Sequence, residues 1–248
     1  MPLSGLRYLA VTDSTNTEAV RWAEEGAPDL SVVVADAQTA GRGRAGRRWY
    51  TPAGAGLAVS VVLRPAEEAA SPLRLTGLGA VCIAQALRQS LGLAAQVKWP
   101  NDVLLEGRKV AGVLVETAWQ GADWQYAVLG MGVNVRSGAA LPDVRFPATD
   151  IESVLGRRVP RAELLYVILE RLVGWRHGLA GPDFLQTWEM LLAYRGETIT
   201  LEMAHPPHVT GTLLGLCEDG ALRLRLSDGR ERAFSSGEMV HLRPIPLA

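Results

Sequence analysis

The sequence predicts a chain of mixed α and β character, α/β or α+β, that ends in a small barrel-like β unit. Three observations carry this. Runs rich in valine and leucine recur along the first 135 residues with helical patterns between them. Two amphipathic helical stretches follow. After Arg195-Gly196 the chain switches to short strands separated by turn pairs.

In order, the first strand is Leu6–Val11; the N-terminus lacks the charged start, long apolar core and small-residue cleavage site of a signal peptide. Thr15 with Glu18 reads as a capping box opening a helix through Glu25, stopped by Gly26. Ser31–Asp36 and Leu57–Leu63 are strands. Pro72–Leu91 is a helix with Leu75, Leu78, Cys82 and Ala86 at helical spacing. Strands follow at Ala95–Trp99, Val103–Glu106, Val110–Glu116 and Tyr126–Val135, then helices at Arg161–Leu179 and Asp183–Tyr194. The tail holds Thr198–Met203, Val209–Cys217, Ala221–Leu226 and Glu231–Phe234, with hairpin turns at Asp219-Gly220 and Asp228-Gly229.

Composition excludes several classes. A net charge of −1 over 248 residues argues against a general nucleic-acid binder. No apolar run approaches the roughly 20 residues that span a bilayer. Cys82 and Cys217 lie far apart in apolar segments without metal-ligand spacing, which reads as structural thiols in a reducing cytoplasm. Of the 25 basic residues only Lys98 and Lys109 are lysines. A GC-rich genome accounts for the arginines, but not for two lysines eleven positions apart. Chance placement competes with chemistry that needs a compact ammonium.

Four segments carry candidate chemistry. Gly41-Arg42-Gly43-Arg44-Ala45-Gly46-Arg47-Arg48-Trp49 crowds four arginines among close-approach glycines, a composition suited to ordering around a phosphate. It is neither a Walker A loop nor a dinucleotide fingerprint, and a solvated basic loop or an RNA contact are the bland alternatives. Lys98-Trp99-Pro100-Asn101-Asp102 places Asn101-Asp102 in a turn, ahead of Arg108-Lys109-Val110-Ala111-Gly112-Val113-Leu114-Val115-Glu116, where Lys109 opens a strand and Gly112 admits a flat ligand. A lysine beside a carboxylate at a turn is often only a surface ion pair. Asp13-Ser14-Thr15-Asn16 offers short polar groups at a helix start, and Gly130-Met131-Gly132-Val133-Asn134 ends a strand with glycines and one amide. Singly, each reads as a cap or a turn.

Together with Gln38, in this order and at these intervals, these motifs resemble the biotin protein ligase family over about residues 8 to 135, and the tail resembles its C-terminal domain. The resemblance implies an α+β fold: a mixed β-sheet catalytic domain flanked by helices, class II synthetase-like, over residues 1–195, and an SH3-like β-barrel over 196–248. It implies ATP-dependent activation of biotin to biotinyl-5'-AMP, with Mg2+, and transfer to a lysine of the biotin carboxyl carrier domain of acetyl-CoA carboxylase or a related carboxylase. Ser14, Thr15, Asn16 and Gln38, with Arg42, Gly43 and Arg44, would bind the ureido end of biotin. Lys109 would hold the biotin carboxylate and the adenylate, with Gly112 close by. Trp49 and Asn134 would form the adenylate pocket, joined on the nucleotide side by Asn101 and by Lys98 in a role left undefined. Asp102 would orient or deprotonate the acceptor lysine; metal ligands are not indicated. The resemblance also implies a cytoplasmic enzyme without membrane association and admits a homodimer. Only 13 residues precede Ser14, too few for a helix-turn-helix arm, so DNA binding is not expected. The alternative is a lipoate or octanoate ligase or transferase on a related fold.

Overall fold

The computed structural model describes residues 3–65, 71–121, 123–136, 147–203 and 208–241. The last residues of the C-terminal unit expected over 196–248 thus lie outside the described residues. The first sheet contains β1 (Gly5–Thr12), β2 (Ser31–Gln38), β3 (Gly56–Leu63), β4 (Gln96–Lys98), β5 (Asp102–Leu105), β6 (Arg108–Gln120) and β7 (Asp123–Asn134), in the order β1-β2-β3-β7-β6-β5-β4. Only β1 and β2 run parallel, joined through α1 (Thr15–Glu24); every other neighbour is antiparallel, so the sheet is mixed. Central β3 is buried along its whole length, which is why its apolar run shows no alternation. On one face Ala19 and Ala23 of α1 pack against Val33, Val62 and Val128. The other face is covered by α2 (Pro72–Leu91), whose Leu75, Leu78 and Cys82 are fully buried, by α4 (Arg161–Trp175) and by α5 (Pro182–Leu191). Between β7 and α4, α3 (Ile151–Leu155) is too short to have shown a periodicity; it is capped by Asp150, whose carboxylate accepts the Ser153 N–H at 2.8 Å.

Several expectations need correction. The capping box does not form: Ser14 is the N-cap, its side chain makes no cap bond, and Thr15 commits its amide and hydroxyl to Gln38. The helix expected through Leu179 ends at Trp175, where the chain turns and brings Arg176 onto Asp29. α5 stops at Leu191, short of Tyr194, because Ala193 leaves the helix to donate its N–H to the Val97 carbonyl of β4. Asp102 is not in the turn. It opens β5 directly opposite Lys98, and the turn is Trp99–Asn101 with a cis Trp99–Pro100 peptide.

The second sheet holds β8 (Thr198–Glu202), β9 (His208–Leu216), β10 (Leu222–Leu226), β11 (Glu231–Phe234) and β12 (Glu238–His241), antiparallel throughout in the order β11-β10-β9-β8-β12. Its β9–β10 turn is bolted to the larger body by buried side chains. The Trp99 indole donates to the Gly220 carbonyl at 3.0 Å, and Arg74 donates to the carbonyls of Glu218, Leu179 and Gly181.

Candidate active site

A cavity of about 420 Å³ opens where α1 begins, over β6 and β7. Its floor is built from neutral polar groups. β1 delivers the chain to Ser14 so that the first turn of α1 faces the end of β2 and the middle of β3. The Thr15 amide and hydroxyl both donate to Gln38 Oε1, at 2.9 and 3.2 Å, and the Gln38 amide donates to Thr51 Oγ1 at 3.1 Å, which fixes its orientation. Ser60, the one polar side chain of β3, donates to Asn16 Oδ1 at 2.6 Å and lies 2.8 Å from the Thr15 hydroxyl. Asn16 in turn donates to Glu116 Oε2 at 2.7 Å. Ser14, Thr15, Asn16 and Ser60 are buried, so these bonds work in a low dielectric where a paired network holds its members in one orientation. Gly130 makes room for it: a Cβ there would fall 2.1 Å from Asn16 Oδ1.

The other end is cationic and aromatic. Lys109 Nζ sits 2.6 Å from Asp102 Oδ1 and 5.6 Å from the centre of the Trp49 ring. Trp49 lies over Gly112 and Gly132, which face each other across β6 and β7; a Cβ on Gly132 would meet the indole at 2.3 Å. Asn134 donates to the Thr149 carbonyl at 3.1 Å, and the Lys109 backbone pairs with Pro147 and Thr149, so this segment forms a wall.

The arginine loop departs from expectation. Its composition suits ordering around a phosphate, yet each of its four arginines has its own acceptor within the protein. Arg42 pairs with Glu116 at 2.9 Å and Arg47 with Glu238 of β12 at 2.6 Å. Arg44 donates to Asn101 Oδ1 at 3.1 Å and Arg48 to the Thr39 carbonyl at 3.0 Å. The loop folds back on itself, with the Trp49 N–H on the Gly41 carbonyl and a single 3-10 turn at Arg44–Gly46, and its four arginines line the cavity. Burial lowers the Arg44 pKa against the pull of Asp102.

All the residues expected in the site line this cavity except Lys98 and Asp102. Those two line a neighbouring groove of about 390 Å³ between the Trp99–Asn101 turn and the second sheet, with Arg44, Arg47 and Asn101 shared by both spaces. Burial pushes the Lys98 ammonium below its ordinary pKa, opposed by Asp102 and Glu238. Sequence reasoning assigned no role to Ser60, Glu116, Arg47 or Glu238. The first had a signal, a lone hydroxyl in an apolar strand; the pairing of Arg47 with a residue 191 positions away had none.

Residues 8–134 match the biotin/lipoate A/B protein ligase family, and residues 195–242 match the biotin protein ligase C-terminal domain, an SH3-like unit. The chain belongs to the biotin protein ligases. It is 36% identical over 232 residues to the biotin–[acetyl-CoA-carboxylase] ligase of Paracoccus denitrificans, covering 90% of this chain and 95% of that one. The bifunctional ligase/repressor of Bacillus subtilis is 31% identical over 238 residues, 93% of this chain and 72% of that protein. The biotin protein ligase from Aquifex aeolicus, solved in complex with biotin and ATP, superposes with a TM-score of 0.83 at 29% identity, covering 96% of this chain and 98% of that one. The α+β biotin-ligase fold holds along the chain.

Proposed function

We propose that this protein is an ATP-dependent biotin–[acetyl-CoA-carboxylase] ligase, with residues 1–195 as its catalytic domain and 196–248 as its C-terminal domain. The observation that carries the reading is the polarity of the cavity, whose neutral buried floor lies opposite a cationic mouth. Biotin is a molecule of that polarity. Ser14, Thr15, Asn16 and Gln38 would hold the ureido ring, and Lys109 beside Gly112 would hold the carboxylate. Arg42, Gly43 and Arg44 would close on the ligand and on the α-phosphate, with Trp49, Asn134 and Asn101 around the nucleotide and Lys98 on its outer side.

In the first step a biotin carboxylate oxygen forms a bond to the α-phosphorus of ATP, and the bond to pyrophosphate breaks. Two anions must meet, and Lys109, Arg42 and Arg44 offset that charge in the transition state. In the second step the acceptor amine bonds to the carbonyl carbon of biotinyl-5'-AMP and AMP leaves. Asp102, in the adjoining groove, takes the amine proton. Mg2+ would enter with the ATP phosphates and neutralise them. Among the described residues no group of three His, Cys, Asp or Glu side chains stands ready to hold it alone.

The acceptor in this reading is the carrier domain of acetyl-CoA carboxylase or a related enzyme, met in the cytoplasm. Among the described residues no helix is long and apolar enough to cross a membrane. Leu6, Tyr8 and Val11, 61–65% exposed on edge strand β1, support pairing of two copies along that edge. Of the lipoate or octanoate ligase or transferase alternative, the transferase form needs a reactive thiol. Cys82 is fully buried, and burial pushes the pKa of both Cys82 and the half-buried Cys217 up. The deciding experiment incubates the purified protein with ATP, Mg2+ and a biotin carboxyl carrier domain. Biotin transfer is expected, and transfer of lipoate or octanoate without biotin would overturn the reading.

A further inference from the structure

Glu116 lies at the end of the Gly112–Glu116 stretch of β6, half-buried, with one carboxylate oxygen serving two parts of the site. Oε2 accepts the Asn16 amide at 2.7 Å and the Arg42 guanidinium at 2.9 Å. Arg42 reaches Thr17 of α1 as well, at 3.4 Å. Asn16 belongs to the floor and is buried; Arg42 belongs to the glycine–arginine loop and is exposed. Glu116 is the junction between them.

The consequence for Asn16 follows from the chemistry of its amide. Nδ2 faces the Glu116 carboxylate, which only accepts, so a half-turn of the amide would set Oδ1 against a carboxylate oxygen. The Ser60 hydroxyl on Oδ1 could donate or accept, so Glu116 is the partner that fixes the orientation. The consequence for Arg42 is an anchor: a charge-assisted bond holds its end of the loop against α1 and β6. We propose that Glu116 is a positioning residue that sets the Asn16 amide for the ureido ring and tethers the loop through Arg42. It thereby links the floor of the biotin pocket to the segment that covers it. This inference rests on the biotin reading of the cavity.

Two substitutions separate the links. Glu116→Gln keeps an amide oxygen for Asn16 but removes the charge that holds Arg42, whereas Glu116→Leu removes both. Glu116→Leu should weaken biotin binding, measured by calorimetry without ATP, by about tenfold, the scale of one charge-assisted hydrogen bond. Glu116→Gln should bind biotin within about twofold of wild type, yet trypsin should cut the arginine loop several-fold faster, because cleavage follows the population of the released loop. Wild-type biotin affinity in Glu116→Leu, equal losses in both variants, or unchanged loop cleavage in Glu116→Gln would overturn the proposal. Should Glu116→Leu fail to fold, the affinity and cleavage of Glu116→Gln decide alone. Failure of the unsubstituted protein to bind biotin would instead overturn the reading of the cavity.

Discussion

The two ends of the cavity are built on different principles. The floor is made of the buried Thr15 and Asn16 of α1 and Ser60 of β3 and the half-buried Gln38 of β2, joined by hydrogen bonds, with Gly130 cut away to admit Asn16. The mouth is made of long cations on a loop, half exposed, each held by a separate and replaceable partner. A neutral cyclic urea offers only hydrogen bonds, and these discriminate well when the protein groups are desolvated and fixed in advance. Phosphates offer charge, which cations that exchange one anionic partner for another can meet as the reaction proceeds. In the proposed reaction, rigidity would serve recognition of the ureido ring at one end, and exchangeable ion pairs would offset the phosphate charge at the other.

That contrast can be broken at four places. Lys109→Arg should have the largest effect, a loss of about 10²–10³ in biotin transfer, because a planar guanidinium cannot replace the ammonium between Asp102 and Trp49. Near-normal transfer to a carrier domain would make the placement of the two lysines accidental. Gly130→Ala strikes the floor instead. With a methyl 2.1 Å from Asn16 Oδ1, biotin affinity should fall about tenfold or more, read by calorimetry, while ATP binding changes little.

Trp99→Phe tests the joint between the sheets. It keeps one aromatic ring but opens a void where the rest of the buried indole sat and strands the Gly220 carbonyl, which should cost at least about 2 kcal/mol and lower the Tm by several degrees. Biotin affinity should stay constant, since the floor makes no contact there. Glu238→Gln is the mildest change. The Arg47–Glu238 pair is solvent-exposed, and its loss should cost less than about 1 kcal/mol and vanish at high salt, checked by unfolding at two ionic strengths.

The mixed architecture, the small antiparallel tail and most of the residues around the cavity are legible in the sequence. Apolar periodicity, glycine spacing and Asp-Gly turns are local signals, and motifs on neighbouring stretches carry their chemistry with them. The sequence alone misplaces what depends on distant partners. Thr15 read as a helix cap because its neighbour Glu18 was visible and Gln38, 23 positions away, was not recognised as competing for it. Asp102 read as a turn residue because its strand partner Lys98 cannot be seen without the register. The arginines read as a cluster suited to a phosphate because their acceptors in the protein, Glu116, Asn101 and Glu238, come from β6, the Trp99–Asn101 turn and the second sheet. These points emerge only once the chain is folded, because hydrogen bonds and ion pairs act over a few ångströms in space whatever the distance along the chain.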